Sequence, residues 1–304
     1  MPRKVKLILN PIADHERAGR IAADLRPVIE EYGEADWGGT DHPTHATEMA
    51  RQAGEQGYDT VIALGGDGTV HEVINGLMQV PEKKRPRLGV VPIGSGNDFA
   101  HFLKIPLDPP EALHRALNGE ASIIDVGCIT DEHGRSEYFD NTIGIGFDAV
   151  VTIRTRKITL VHGFAMYFLA VMQTIVANFD CIPMHVETDQ ESWSQPTLML
   201  SLGNGPREGG GFLITPDARM DDGLLHYVTI GKISRLTMLR MVPEVQKGTH
   251  GRFKQFRMGT CKKMTATAER PLVIHLDGEI FAGFGTDIRK VTIEVVPNAI
   301  RVIR

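Results

Sequence analysis

The stretch VIALGGDGTVHEVINGLM, residues 61–78, joins an apolar run to three glycines that surround one aspartate, Asp67. The apolar run is typical of a buried strand, and the residues after Asp67 have helical periodicity. Glycine lets a ligand approach the backbone closely, and the N–H groups at a helix N-terminus bind anionic phosphate. Because Asp67 would repel a bare phosphate, this pattern favours a magnesium–nucleotide complex. A tight strand–helix turn without a ligand is the alternative.

A second loop of the same design follows on the next apolar run, in GVVPIGSGNDFA at residues 89–100. Here a GSG turn at 94–96 precedes Asn97 and Asp98, which open a helix. Two such loops on neighbouring strands favour phosphate binding over two coincidental turns. Neither loop ends in the G-K-[ST] signature of a P-loop, so we exclude a P-loop enzyme.

The flanking sequence predicts an α/β N-terminal domain, residues 1–125, in which apolar strands of a parallel sheet alternate with helices. Ligands of such sheets bind at the carboxyl ends of the strands, so the three loops NPIAD, GGDGT and GSGND should open on one edge. Residues 126–294 read as short strands separated by Gly, Asp and Pro, which predicts a C-terminal antiparallel β-sandwich. Residues 295–304 are expected to pack back on the first domain.

Composition narrows the class of protein. The chain has 304 residues, of which 42% are hydrophobic, and a net charge of −5, so nothing in its charge favours nucleic-acid binding. Residues 158–179 contain no Asp, Glu, Lys or Arg. Since Met166, Leu169, Ala170 and Gln173 recur at helical spacing, this segment predicts a largely buried amphipathic helix; a membrane span is the alternative.

Six motifs occur in order along nearly the whole chain: NP at 10–11, GGDGTVHEVINGL, PIGSGNDFA, NTIGIGFDA at 141–149, GNGPREGGGFLITPDARMDDGLL at 203–225, and LDGE at 276–279. With these motifs the chain resembles the diacylglycerol kinase catalytic family, in its bacterial soluble lipid kinase branch. The resemblance implies a cytoplasmic enzyme, associated with the inner face of the membrane, that uses ATP and Mg2+ to phosphorylate a lipid hydroxyl. Diacylglycerol is the simplest acceptor.

The resemblance also implies roles for individual residues. Glu279 matches the proposed general base, and Asp222, with the main-chain oxygens of Arg219 and Leu224, matches a second, structural magnesium site. The residues predicted to bind the nucleotide are Asn10, Pro11, Thr40 (or Thr44), Gly65, Gly66, Asp67, Gly68, Thr69, Glu72, Gly94, Ser95, Asn97 and Asp98. After the NP motif the chain has IADHERAG where the family has small residues, which leaves the roles of Asp14 and His15 open.

Four carboxylates are candidates for a shared acidic site that accepts the hydroxyl proton and binds metal: Asp67, Asp98, Asp125 and Glu279. Among these, Asp67, Asp125 and Glu279 are the predicted catalytic residues. Each has a structural alternative. Asp98 is also explained as a first-turn helix residue, Asp125 as an acid at a strand end, and Glu279 as a hairpin-turn carboxylate.

Residues 232–263 carry nine Lys and Arg residues against one acid, Glu244. The interleaved apolar residues are Leu236, Met238, Leu239, Met241, Phe253 and Phe256. This pattern predicts peripheral contact with an anionic membrane surface, and a solvated basic face is the alternative.

Two other functions remain open: a soluble-substrate kinase of the NAD kinase type, and a non-catalytic lipid- or nucleotide-binding module. Formation of a homodimer is also left open.

Overall fold

A computed structural model describes residues 4–13, 17–33, 35–158, 161 and 163–304. Asp14 and His15 lie outside the described residues. The chain divides into two compact units, which we describe separately. The N-terminal unit comprises Met1–Asp125 and Asn298–Arg304, and the C-terminal unit comprises Val126–Pro297.

The N-terminal unit is an α/β fold, as predicted. Its elements are β1 (Val5–Leu9), α1 (Arg17–Tyr32), β2 (Ala35–Gly39), α2 (His45–Glu55), β3 (Thr60–Gly65), α3 (Asp67–Met78), a short 3-10 helix (Glu82–Lys84), β4 (Arg87–Pro92), α4 (Asp98–Phe102) and α5 (Pro109–Asn118). The strands pair in parallel in the order β2–β1–β3–β4. Every residue of β3 is buried, as expected of a strand covered on both faces.

The C-terminal unit is built mainly of antiparallel strands, as predicted. Its elements are β5 (Ala121–Asp131), β6 (Ser136–Phe139), β7 (Thr142–Gly146), α6 (Phe147–Thr155), α7 (Gly163–Ala177), β8 (Ile182–Thr188), β9 (Ser192–Gly203), β10 (Leu225–Gly231), α8 (Arg235–Gln246), a short 3-10 helix (His250–Arg252), β11 (Phe256–Cys261), β12 (Lys263–Ala268), β13 (Ile274–Leu276), β14 (Glu279–Ala282) and β15 (Lys290–Ile303). The main strand order is β14–β13–β7–β9–β8–β12–β15, and β10 pairs with β9 and β11.

Two strands connect the units along the chain, because β5 and β15 each begin in one unit and end in the other. Within the N-terminal unit, the end of β15 pairs in parallel with β4 through Val302 and Leu88. The last residues of the chain therefore complete the sheet that its first residues begin.

The helix predicted within residues 158–179 exists as α7, but it is not largely buried. Its buried face carries Ala170, Val171, Thr174 and Ile175, whereas Phe168, Leu169 and Val176 are exposed. The prediction of a largely buried helix was therefore wrong, because an almost wholly apolar helix has no polar face that marks its solvent side. Among the described residues, no helix has the length and apolarity that crossing a bilayer requires.

Candidate active site

The two glycine loops lie side by side at the carboxyl ends of β3 and β4. Ile93 donates its N–H to the Gly65 carbonyl at 2.8 Å, which continues the strand pairing into the loops. A Cβ on Gly94 would lie 2.5 Å from the Cα of Gly66, so no side chain fits at this position. The prediction that both loops open on the same sheet edge is confirmed. The close approach of the two backbones explains why glycine is needed in these loops.

Asp67 bridges the two loops. Its Oδ1 accepts a hydrogen bond from the Phe99 N–H at 3.2 Å, and its Oδ2 would lie 2.9 Å from a Cβ on Gly96. Asn97, with a left-handed φ of 51°, closes the second loop, because its side-chain amide donates to and accepts from the backbone of Gly94. The predicted aspartate is therefore held over the second loop at the first turn of α3.

The remaining loop residues that were predicted to bind the nucleotide lie at the same ends of the neighbouring strands. The Asn10 N–H donates to the Leu64 carbonyl at 3.0 Å, and the Asn10 Nδ2 donates to Thr69 Oγ1 at 3.2 Å. Thr40 follows β2, where its N–H donates to Leu9. The NP loop and the GGDGT loop are thus in direct contact. Pro11, Ser95 and Gly68 lie in these loops, and Pro11 and Ser95 are exposed.

Glu72 supports the helix α2. Its carboxylate accepts hydrogen bonds from the N–H groups of Thr44 at 3.0 Å and Ala46 at 3.1 Å. These N–H groups lie at the N-terminus of α2, where the helix itself offers no carbonyl partner. Thr44 has a left-handed φ of 70°, and its side chain forms no capping hydrogen bond with the described residues. Capping comes from another helix, a source that local sequence does not show. Binding of a nucleotide by Glu72 stays a prediction.

Asp98 and Asp125 have different surroundings. Asp98 is buried in the first turn of α4, beside the second glycine loop. Asp125 is buried in β5, where its Oδ1 accepts the N–H of Asn298 at 2.7 Å. This bond gives Asp125 a structural role in holding the chain's last segment, and its catalytic role stays a prediction.

Glu279 is the first residue of β14, directly after the turn that joins β13 to β14 in the C-terminal unit. Arg156 donates to Glu279 Oε2 at 2.6 Å and to the Gly278 carbonyl at 3.3 Å. The neighbouring Asp277 anchors the turn by accepting the backbone N–H groups of residues 140–142 at 2.9–3.0 Å. The carboxylate of Glu279 is half exposed, which suits a group that must meet a substrate. Sequence reasoning missed Arg156, since nothing local links it to a residue so distant in the chain.

The predicted metal loop precedes β10. Asp222 Oδ1 accepts the N–H of Leu224 at 3.0 Å, and Asp222 Oδ2 lies 3.3 Å from His226 Nε2. The Arg219 guanidinium pairs with Asp221 at 3.1 Å. Two carboxylates on a tight loop with main-chain carbonyls are the oxygen ligands that Mg2+ prefers, so the loop fits this ion chemically. Coordination by Arg219, Asp222 and Leu224 stays a prediction.

An apolar cavity lies within the C-terminal unit. Its lining includes Phe147, Val171, Met199, Phe212, Met238 and Val242, and two acids, Asp148 and Glu208, reach its wall. Both acids are inside motifs that the sequence displays, NTIGIGFDA and GNGPREGGG, but the chain sequence alone does not show that they meet.

Known sequences and structures resemble this chain along most of its length. Residues 4–129 match the diacylglycerol kinase catalytic domain, and residues 141–304 match the YegS C-terminal NAD kinase beta sandwich-like domain. Proteins named "probable lipid kinase YegS-like" are similar in Yersinia enterocolitica, at 35% identity, and in Yersinia pestis, at 34%. Each alignment spans 260 residues, 84% of this chain and 82% of the relative.

A solved structure of a Bacillus anthracis diacylglycerol kinase superposes with a TM-score of 0.73 at 20% identity. The superposition covers 99% of this chain and 97% of that one. At this level of identity the likeness shows the fold alone.

Proposed function

The chain belongs to the diacylglycerol kinase catalytic family, and from this premise we propose that it transfers the γ-phosphate of ATP to the free hydroxyl of diacylglycerol, giving phosphatidic acid. The observation that supports this proposal best is the contact between the two glycine loops, with Asp67 held across them. That arrangement is suited to a phosphate chain and its metal ion.

The N-terminal unit would hold the nucleotide. Gly66 and Gly94 pack backbone to backbone, and phosphate oxygens would bind the backbone N–H groups at the start of α3. Asp67 and Asp98 would bind the magnesium ion, because carboxylates are its preferred protein ligands. Bound ATP and Mg2+ supply the phosphoryl group and the positive charge that balances it during transfer.

Glu279 is the proposed general base, which takes the proton from the acceptor hydroxyl. Arg156 pairs with the Glu279 carboxylate at 2.6 Å and orients it. Asp277 fixes the turn that directly precedes Glu279, so backbone hydrogen bonds hold the position of the proposed base.

Two helices offer a surface for the membrane that holds such a substrate. The Arg235 Nε on α8 donates to the Ile175 carbonyl on α7 at 2.8 Å, so the helices are in contact. Their exposed apolar side chains are Phe168, Leu169, Val176, Leu236 and Leu239. We propose that this α7–α8 face contacts anionic lipid, with basic residues beside it. Of the residues first considered, Met238, Met241 and Phe256 are buried and do not contribute.

Vesicle co-sedimentation tests the membrane surface. The double substitution Val176→Asp and Leu236→Asp places charge on the two most exposed positions of the face, so it should reduce binding to anionic vesicles. Leu107→Asp changes an exposed leucine of the N-terminal unit and should leave binding unchanged. Equal sedimentation of the double variant and the wild type would refute the proposed surface.

Labelled ATP and a panel of acceptors test the reaction. We expect the wild type to label diacylglycerol and Glu279→Gln to lose most of this activity. Glu191→Gln is the matched control, because Glu191 is also an exposed acid paired with an arginine, Arg257. The NAD kinase-like description of the C-terminal domain model favours NAD as the second candidate acceptor. Labelling of NAD and of no lipid would replace the proposal with that alternative.

A further inference from the structure

Asp148, Glu208 and His275 form a buried cluster in the C-terminal unit, apart from the residues assigned above. Their exposed fractions are 4%, 6% and 1%. One ligand atom from each lies within 4.8 Å of the other two. We propose that this cluster binds one divalent transition-metal ion, Zn2+ or Mn2+, through residues other than those proposed to bind the nucleotide's magnesium ion.

The geometry of His275 supports this site. Its Nε2 lies 3.4 Å from Asp148 Oδ2 and 4.0 Å from Glu208 Oε2. Ligand atoms around a tetrahedral ion with bonds of about 2.1 Å are about 3.4 Å apart. Among the described residues this nitrogen has no hydrogen-bond partner, although the ring is almost completely buried. A buried polar atom without a partner is costly, and a metal ion would satisfy it.

Gly144 leaves room between the two ligands. A Cβ at this position would lie 2.3 Å from both Asp148 Oδ2 and His275 Nε2. No other residue type avoids this overlap, so the strand β7 keeps an open space where the proposed ion would lie.

The charge of the cluster also favours a cation. Two carboxylates and one imidazole carry a net negative charge even when the imidazole is protonated, and burying such charge is costly. Within the described part of the chain, no lysine or arginine lines the adjoining cavity. A divalent ion bound by Asp148, Glu208 and a neutral His275 would bring the net charge of the cluster to zero.

Neighbouring hydroxyl groups hold the proposed ligands in place. Ser201 Oγ donates to Asp148 Oδ2 at 2.8 Å, and Thr142 Oγ1 donates to Glu208 Oε2 at 2.9 Å. Such outer hydrogen bonds orient the ligands of metal sites. The combination of imidazole with carboxylates suits Zn2+ or Mn2+ better than the all-oxygen preference of Mg2+ or Ca2+.

Metal binding at Nε2 requires the ring proton to lie on Nδ1. The Gly278 N–H now points at Nδ1 at 3.4 Å, which is a long contact. A proton on Nδ1 would face this N–H and break the contact. We therefore expect the amide resonance of Gly278 to shift when the metal binds, which gives a second readout.

The test uses tag-free, full-length protein that has been stripped with EDTA and then exposed to Zn2+, Mn2+ or Co2+. All proteins carry His45→Gln, which removes the exposed Asp41–His42–His45 group as a competing site. Bound metal is measured after gel filtration, and Co2+ binding is followed by visible absorption. We expect about one ion per chain, loss of this ion in His275→Gln and Asp148→Asn, and affinity about tenfold weaker in Ser201→Ala.

His185→Gln is the matched control, because it removes an exposed imidazole from the same unit and should retain the ion. A metal-induced rise in melting temperature, present in the parent and absent in His275→Gln, separates metal loss from unfolding. Absence of bound metal in the parent, or unchanged binding in His275→Gln, would overturn the proposal. Neither readout depends on kinase activity, so failure here leaves the proposed function standing.

Discussion

Carboxylates in the sequence motifs hold backbone N–H groups in place. Asp277 accepts three backbone N–H groups, and Glu72 accepts two at the start of α2. The family resemblance implied a role for Glu72, and Asp277 lies in the LDGE motif, but only the fold shows which donors the two acids meet. At this scale, the site depends as much on residues that position loops as on residues that meet the substrate.

His250 provides a prediction about pH. It is fully buried, its Nε2 lies 3.1 Å from the Ile214 carbonyl, and burial lowers its pKa below the ordinary value of 6.5. The imidazole of His250 therefore binds a proton more readily in the unfolded chain than in the folded chain. The stability that neutral His250 confers is complete above about pH 6.5 and is lost as pH falls towards the folded pKa.

Thermal melts between about pH 7.5 and about pH 5.5 check this linkage. The wild type should lose melting temperature on acidification, and His250→Gln should lose less, although its melting temperature is lower throughout. His185→Gln, which removes an exposed histidine, should follow the wild-type slope. Parallel slopes for His250→Gln and the wild type would contradict the assignment.

The glycine loops are the element most fully predicted by the sequence. A strand, a glycine turn and a helix are local patterns, so Gly66, Asp67 and Gly94 could be placed without coordinates. The buried face of α7 could not be predicted from the sequence, because this helix carries apolar residues on all sides. Arg156 and the Asp148–Glu208–His275 cluster were also missed, since their members come from segments that only the tertiary fold brings together.

Gly94→Ala tests the contact between the loops. Its Cβ would lie 2.5 Å from the Gly66 Cα, so the loops must separate, at a cost of about 1–3 kcal/mol in the free energy of unfolding. We expect weaker ATP binding by calorimetry. Gly19→Ala is the matched control, because Gly19 is an exposed residue of α1 and a Cβ there would meet nothing within 4 Å beyond its own helix. This variant should bind ATP normally and gain about 0.4–1 kcal/mol in the free energy of unfolding. Normal ATP binding by Gly94→Ala would be inconsistent with the proposed phosphate site.

At the scale of the whole molecule, the last residues of the chain form part of the N-terminal unit. The Asn298 N–H binds Asp125, the Arg85 guanidinium binds the Ala299 carbonyl, and Val302 pairs with Leu88. The sequence indicated that residues 295–304 return to the first domain. The partners of this segment could not be predicted, because strand pairing over such a separation leaves no local pattern.

Deletion of residues 298–304 should therefore destabilise the N-terminal unit, although these residues belong to none of the predicted nucleotide loops. We expect faster proteolysis within residues 4–125 and loss of ATP binding. Removal of Arg304 alone, an exposed terminal residue, should change neither. An unchanged proteolysis pattern after the longer deletion would show that the segment is dispensable.

Transfer of labelled phosphate from ATP to diacylglycerol in mixed micelles tests the central claim most directly. The wild type and Asp108→Asn should both form labelled phosphatidic acid, because Asp108 caps α5 and asparagine is an equally good cap. Asp67→Asn should be slower by about 100-fold or more, since it removes the charge that we propose holds the metal. Equal rates for Asp67→Asn and Asp108→Asn, or no labelled lipid from the wild type, would contradict the account.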